Sequence, residues 1–423
     1  MLNLGILLYL FIIFLFGIIG IIYLLAILII AVYILIISKI SNDNSFSNID
    51  LDNLEETNYK VVSKYKYLID YIKLNILSYT VTIKSFIYDR KKDKNIILIH
   101  GINSGSCIWL NLINSIIDNY DNYNIYSMCV PGFGCSFISN IEDLLNNDSD
   151  FVTRFYSNMI NNYIHKYDLD NIILIGHSLG GYFILNYICD ITKFKRKKNI
   201  LGIIPINPVS IISSLGTSGF YISAFLKLGL ANPIFTLFNI YSYNLLYFLT
   251  KFVDLFKEIP LDNNSHMYYF YALISSYKNY SDQIINKFIQ VEGNQSFFSR
   301  PIIHKMLSRF NVPLHIISSE NDIIISKYYN EILNIFSNKK KNFVSILKDK
   351  YHSPLKKEDT LEIAKIMNNF INNNTGSIKK IKARKSYLIK DIVNKYVSHY
   401  NYNYSYENSY DLFLELKNFL RKK

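Results

Sequence analysis

Cysteine is scarce: the 423 residues hold four, Cys107, Cys129, Cys135 and Cys189, and no two stand in CxxC spacing. That excludes a disulfide-built scaffold, and thiolate metal binding has no spacing to support it. Charge is also thin at 18%, yet 50% of the residues are hydrophobic, so the chain is not a disordered one. Its length exceeds one ordinary domain and suits two. Acids are the minority, 33 Asp+Glu against 45 Lys+Arg, for a net charge of +12. Such a surplus invites nucleic acid. However, Ile, Asn, Lys, Tyr and Phe are abundant together, as AT-rich codons produce, and no recognition motif accompanies the charge. Nucleic acid is therefore not an expected partner.

Charge is missing altogether from Leu4 to Ile37, the first charged residue being Lys39. A bilayer core needs roughly 20 apolar residues at about 1.5 Å of helical rise each, so this run is long enough to span. A cleaved signal peptide fits poorly, because no basic segment precedes the run and no A-x-A-like site ends it. Residues 1–38 are expected to form a single-pass transmembrane anchor, with Gly17 and Gly20 offering a point for a kink or hairpin. No Lys or Arg precedes the span, whereas Lys39, Lys60, Lys64, Lys66 and Lys73 follow it, which favours a cytosolic catalytic domain. Residues 41–57 are polar and acidic without apolar periodicity. Residues 39–75 therefore read as a juxtamembrane linker.

Beyond the linker, short apolar runs alternate with helical stretches. Strands are expected at Tyr79–Tyr88, Asn95–Ile99, Asn124–Val130, Asn171–Ile175, Asn199–Ile206, Leu314–Ile317 and Asn342–Leu347, with a helix over Asp150–His165. Such runs separated by helices indicate an α/β fold with a mostly parallel sheet covered on both faces. The alternation breaks between Pro208 and Pro301, where the sequence is apolar, aromatic and helical in pattern. Lys227 is the only charged residue between Ile211 and Thr250. The core is thus split into residues 76–210 and 301–375 by a helical cap at 211–300. Residues 376–423 form a basic tail, with eleven Lys+Arg against four Asp+Glu.

The run Asn171–Ile175 leads directly into Gly176-His177-Ser178-Leu179-Gly180-Gly181 and then an apolar helix. This is G-x-S-x-G between strand and helix. The serine must sit on a strained turn, and a Cβ at Gly176 or Gly180 would collide with the neighbouring helix and strand. Ser178 needs a base from a loop at the carboxyl end of the sheet. Of the eight histidines, His352 fits, because it lies just past the last expected strand. His315 begins a strand, His177 is locked in the turn, His165 ends a helix and His399 is in the tail. The acid that orients His352 should leave another strand end, where Glu320 and Asp322 both qualify and spacing does not separate them. Backbone N–H groups of Leu179, and of Ile102 after His100-Gly101, are candidate oxyanion donors.

Further motifs accompany the turn. Ile99-His100-Gly101 ends one strand, Pro131-Gly132-Phe133-Gly134-Cys135-Ser136 follows the next, and Ser319-Glu320-Asn321-Asp322 ends a later one. His352 then precedes a final helix. With these, the region from about Tyr79 to Asn373 resembles the α/β-hydrolase fold superfamily in its capped serine-hydrolase branch. The resemblance implies Ser178, Asp322 and His352 as catalytic residues, and so Asp322 over Glu320. It also implies Leu179 and Ile102 as oxyanion donors, and no metal or organic cofactor. Two departures stand out: that family often carries Asp where this chain has Cys129, and a basic or polar residue where it has Cys135. Related epoxide hydrolases and haloalkane dehalogenases use an elbow Asp, which Ser178 argues against. An acyltransferase-like H-x-x-x-x-D is absent, since Lys357 stands five after His352.

The expected function is a membrane-anchored serine hydrolase that cleaves an acyl or lipid ester, with the apolar cap as acyl-chain site. The basic tail could meet anionic headgroups. The expected partners are the ester substrate and the membrane, with no obligate protein partner. The competing class is a non-catalytic α/β-hydrolase scaffold or lipid-binding protein.

Overall fold

The computed structural model describes residues 51–101, 104–133, 135–191, 194, 198–208, 291–292, 295–296, 312–322 and 344–373. Residues 1–38, almost all of the cap at 211–300, and the tail at 376–423 lie outside them. Among the described residues no helix is long and apolar enough to cross a membrane. The cap interval contributes one described feature, a two-residue antiparallel pairing of β8 (Val291–Glu292) with β9 (Gln295–Ser296).

The sheet forms where short apolar runs recur, with a few polar residues such as Asn124 and Ser127 among them. β3 (Lys94–Ile99), β4 (Tyr123–Met128), β6 (Ile172–His177) and β7 (Ile200–Ile206) are its middle, parallel to one another and buried almost throughout. Each isoleucine taken fully out of water is worth roughly 1.5–3 kcal/mol, and both faces of these strands do this work. Ile97 and Ile99 face one core, whereas Ile96 and Leu98 face the other. β10 (Ile316–Ser319) and β11 (Val344–Leu347) extend the sheet in parallel beyond β7. On the other side β2 (Tyr79–Tyr88) pairs antiparallel with β4, with β1 (Leu68–Ile76), and with the short β5 (Phe137–Ile138). The strand order is β1-β2-β4-β3-β6-β7-β10-β11. The mostly parallel α/β sheet matches the expectation.

The helices divide between the two faces. α4 (Ser149–Lys166) and α5 (Leu179–Asp190) bury Phe155, Tyr163, Phe183 and Ile184 on one side. α4 starts where it does because Asp148 caps it, its side chain accepting from the Phe151 N–H at 2.6 Å. α1 (Leu51–Val62), α2 (Leu110–Asn119) and α6 (Lys357–Asn373) cover the opposite face with Tyr59, Ile113, Ile116, Met367 and Phe370. A 3-10 turn at Ser106–Trp109 leads into α2, and the short α3 (Ile141–Asn146) precedes α4.

One boundary needs correction. Residues 51–75, expected to be linker, are mostly fold: α1 packs on the core and β1 pairs with β2 along its whole length. β1 alternates, with Ile72, Leu74 and Ile76 buried and Tyr71, Lys73 and Asn75 exposed, but polar neighbours dilute that pattern. In α1 the fully buried described side chains are Glu55 and Tyr59, with Val62 packed partly buried against the core. A helix whose inward face includes a carboxylate shows no apolar period. β10 also starts two residues later than expected, after an isolated bridge between Leu314 and Ile203.

Candidate active site

β6 delivers the chain to Ser178, and α5 begins immediately after it. Ser178 has φ 52° and ψ −117°, a conformation that costs an L-residue on the order of 1–3 kcal/mol. The turn can be this sharp because two flanking positions have no side chain. A Cβ on Gly176 would lie 2.4 Å from the Gly180 carbonyl oxygen, and one on Gly180 would lie 2.2 Å from that of Ile99. Both obstacles are backbone, so neither can step aside. The turn is thus wedged between β3 and α5, and the serine side chain is directed to the carboxyl end of the sheet.

Two loops meet it there. His352 Nε2 lies 2.9 Å from Ser178 Oγ, and His352 Nδ1 lies 2.8 Å from Asp322 Oδ2. The carboxylate accepts from Nδ1–H, so the neutral ring presents the Nε2 lone pair to the serine hydroxyl. The Asp322 and His352 side chains are 2% and 9% exposed, which strengthens these bonds relative to water. Glu320, left open by spacing, is exposed and accepts instead from the Asp349 N–H at 3.3 Å. The structure brings Ser178, Asp322 and His352 together.

The oxyanion side is partly described. The Leu179 N–H opens α5, so it has no carbonyl of a preceding turn to bond, and it adjoins Ser178. Ile102 lies outside the described residues. Its neighbour His100 is fixed on both nitrogens: Nε2 accepts from the Val130 N–H and Nδ1–H donates to the Gly101 carbonyl, each at 2.8 Å. Burial pushes His100 down to about 4. His177 is pushed down to about 3 by burial, with His352 adding to the effect. His177 Nε2–H donates to the His352 carbonyl at 2.8 Å, and so holds the backbone of His352. His315, set aside on its position, is half-buried against Ser345 and Phe370, and burial lowers it to about 4.

Two residues here were not anticipated. Asn207, fully buried at the end of β7, spends its side-chain amide on both active-site loops. Its Oδ1 accepts from the Ser319 N–H at 2.7 Å, and its Nδ2 donates to Ser319 Oγ at 2.8 Å and the His352 carbonyl at 2.7 Å. A polar residue after a buried strand was the only signal. The second is Glu55, fully buried beside Cys129 and Cys135, the three offering donor atoms within 4.8 Å of one another. That set has the chemistry of a metal site, but the buried Lys84 ammonium stands next to it. Burial works against the Lys84 charge; even so its pKa is raised, and Glu55 leads the influences that hold the proton. That ammonium pairs with Glu56 at 3.0 Å, and Glu55 itself accepts from Ser106 Oγ, the Cys107 N–H and Cys129 Sγ, so the cluster fits a hydrogen-bonded network better than a cation site.

With this geometry, the likeness to known proteins can be weighed. Residues 94–359 match the family model described as alpha/beta hydrolase fold. A Mycoplasma pneumoniae protein, named provisionally as esterase/lipase 1, is 34% identical over 106 residues, 23% of this chain and 35% of that protein. The chain thus aligns with about a third of that relative's length. Among solved structures, carboxylesterase CesB from Bacillus subtilis shares 12% identity at a TM-score of 0.53, over 77% of this chain and 98% of its own. A bacterial membrane phospholipase A shares 15% identity at a TM-score of 0.52, over 84% and 98%. At such identities the structures attest the fold alone, while the family match takes in more than half of the sequence. The chain belongs to the α/β-hydrolase fold family.

Proposed function

We propose that this protein is a membrane-anchored serine hydrolase acting on a carboxylic ester of acyl or lipid type. The observation that carries the reading is the hydrogen-bonded line Asp322–His352–Ser178, with contacts of 2.8 and 2.9 Å ending on a serine in a strained turn. Ser178 Oγ attacks the ester carbonyl carbon while its proton passes to His352 Nε2. Asp322 keeps the ring in the required tautomer and stabilises the imidazolium. The oxyanion is held by the N–H groups of Leu179 and Ile102, each such donor being worth about 3–4 kcal/mol. Collapse expels the alcohol, which takes the proton from His352, and leaves an acyl-Ser178. Water then attacks that ester with His352 again as base, releasing the acid and restoring the serine.

The ester preference draws on the named activities of the esterase, lipase and phospholipase relatives. The membrane reading draws on the uncharged run from Leu4 to Ile37, and its cytosolic orientation on the lysines that follow. The apolar cap sequence is consistent with an acyl chain as part of the substrate. Full-length protein in detergent should react with a fluorophosphonate at Ser178, and Ser178→Ala should abolish the labelling. Folded wild-type protein that refuses the probe would overturn the reading and favour a non-catalytic scaffold.

A further inference from the structure

We propose that Glu55 and Tyr59 of α1 are positioning residues for the oxyanion side of the site, although α1 precedes the region shared with the family. This rests on Ser178 being the nucleophile. The helix grips one residue, Ser106, by both of its polar ends. Ser106 Oγ donates to Glu55 Oε1 at 2.5 Å, and the Tyr59 hydroxyl donates to the Ser106 carbonyl at 3.0 Å. Glu55 Oε1 also accepts from the Cys107 N–H at 3.3 Å. Tyr59 is stacked on Phe86 and fully buried, so neither anchor can be relaxed by rotation into solvent.

The same carboxylate reaches across to the end of β4. Cys129 Sγ lies 3.2 and 3.1 Å from the two Glu55 oxygens, and the next residue, Val130, donates its N–H to His100. His100 is thus held by Val130 and Ser106 by α1, two described residues on either side of Ile102 in the sequence. Only five residues separate them in the sequence. Cys129 is the position where the resemblance leads one to expect an acid. In this chain the carboxylate arrives from α1 instead.

Packing alone does not explain this choice. A hydrophobic side chain would seat α1 without the cost of dehydrating a carboxylate, which reaches several kcal/mol when unpaired. Glu55 offsets that cost with directional bonds to a hydroxyl, an N–H and a thiol. Directional bonds are what a loop needs if its backbone must face a developing oxyanion to within a few tenths of an ångström.

The test uses the full-length chain in detergent, with fluorophosphonate labelling, p-nitrophenyl butyrate turnover and thermal melting. Glu55→Gln should still label completely, but at least tenfold more slowly than wild type. Its kcat should fall at least tenfold while KM stays within twofold. The double variant Glu55→Gln with Cys129→Asp returns a carboxylate to the pocket from the other side and should recover most of the labelling rate. Tyr59→Phe, nearly isosteric, should lower kcat several-fold and keeps the question open to measurement if Glu55→Gln does not fold. A Glu55→Gln or Tyr59→Phe protein with wild-type kcat overturns the proposal, as does a double variant no faster than the single one. Wild-type protein that never labels overturns the hydrolase reading instead.

Discussion

The side chain of Asn207 donates to the backbone carbonyl of His352 across 2.7 Å, although 145 positions separate them. The same amide binds Ser319, three residues before Asp322. The loops carrying Asp322 and His352 are therefore referenced to one point at the end of β7. Asn207→Asp preserves shape and the tolerance for its φ of 42°, but turns the donor facing His352 into an acceptor. The expected result is a kcat reduced at least tenfold with KM little changed, measured on a chromogenic ester. Wild-type turnover would show that the two loops align without it.

Asp322 and Glu320 make a direct comparison, since they lie two residues apart and only one touches His352. Asp322→Asn leaves an amide facing Nδ1 and no longer favours the tautomer needed at Nε2. A loss of about 10³–10⁴ in kcat is expected. Glu320→Gln should change kcat by less than twofold. Steady-state kinetics on the two purified variants decide between the carboxylates.

The strain at Ser178 should be visible as stability. Glycine accepts positive φ without a Cβ penalty, so Ser178→Gly relieves on the order of 1–3 kcal/mol of backbone strain. It also loses one hydrogen bond to His352, worth about 1 kcal/mol. A melting temperature equal to or above wild type is expected, together with complete loss of fluorophosphonate labelling. A marked drop in melting temperature would mean that the turn is not under strain.

Acid should destabilise the fold through its buried histidines. Val130 donates to His100 Nε2, so a second proton on the ring would set two N–H groups against each other. Burial holds His100 at about 4 and His177 at about 3, against an ordinary value of about 6.5. Between these values the unfolded chain binds more protons than the folded one. This contribution is therefore complete above about pH 6.5 and is lost as the pH falls from there toward 4. For His100 it amounts to ~3 kcal/mol over the whole window. Melting temperatures measured from pH 7.5 to pH 5 should fall, and His100→Gln should flatten part of the slope. A melting temperature constant over that range would contradict it.

The middle of the sheet was legible because β3 and β6 hold the unbroken apolar runs Ile96–Ile99 and Ile172–Ile175, each followed closely by a glycine. The candidates Ser178 and His352 followed from that, since the elbow and the last strand both declare their ends. What escaped were residues whose partners are remote. Asn207 resembles an ordinary turn asparagine until Ser319, 112 positions away, closes on it. Glu55 looked like part of a solvated acidic linker, because its hydroxyl and thiol partners come from a loop and a strand end 51 and 74 residues further on. β1 was hidden for a simpler reason: half of its residues face solvent, and at the edge of a sheet alternation competes with a polar, tyrosine-rich background.

The strand order also sets where this protein can be cut. The family-matched region begins at residue 94, whereas the sheet begins with β1 and β2, which cover one side of β4. A recombinant fragment started at the family boundary would leave the β4 backbone unpaired along a hydrophobic strand, a template for edge-to-edge association. It would also discard the helix that buries Tyr59 against Phe86. The smallest piece expected to remain soluble therefore starts at or before Leu51.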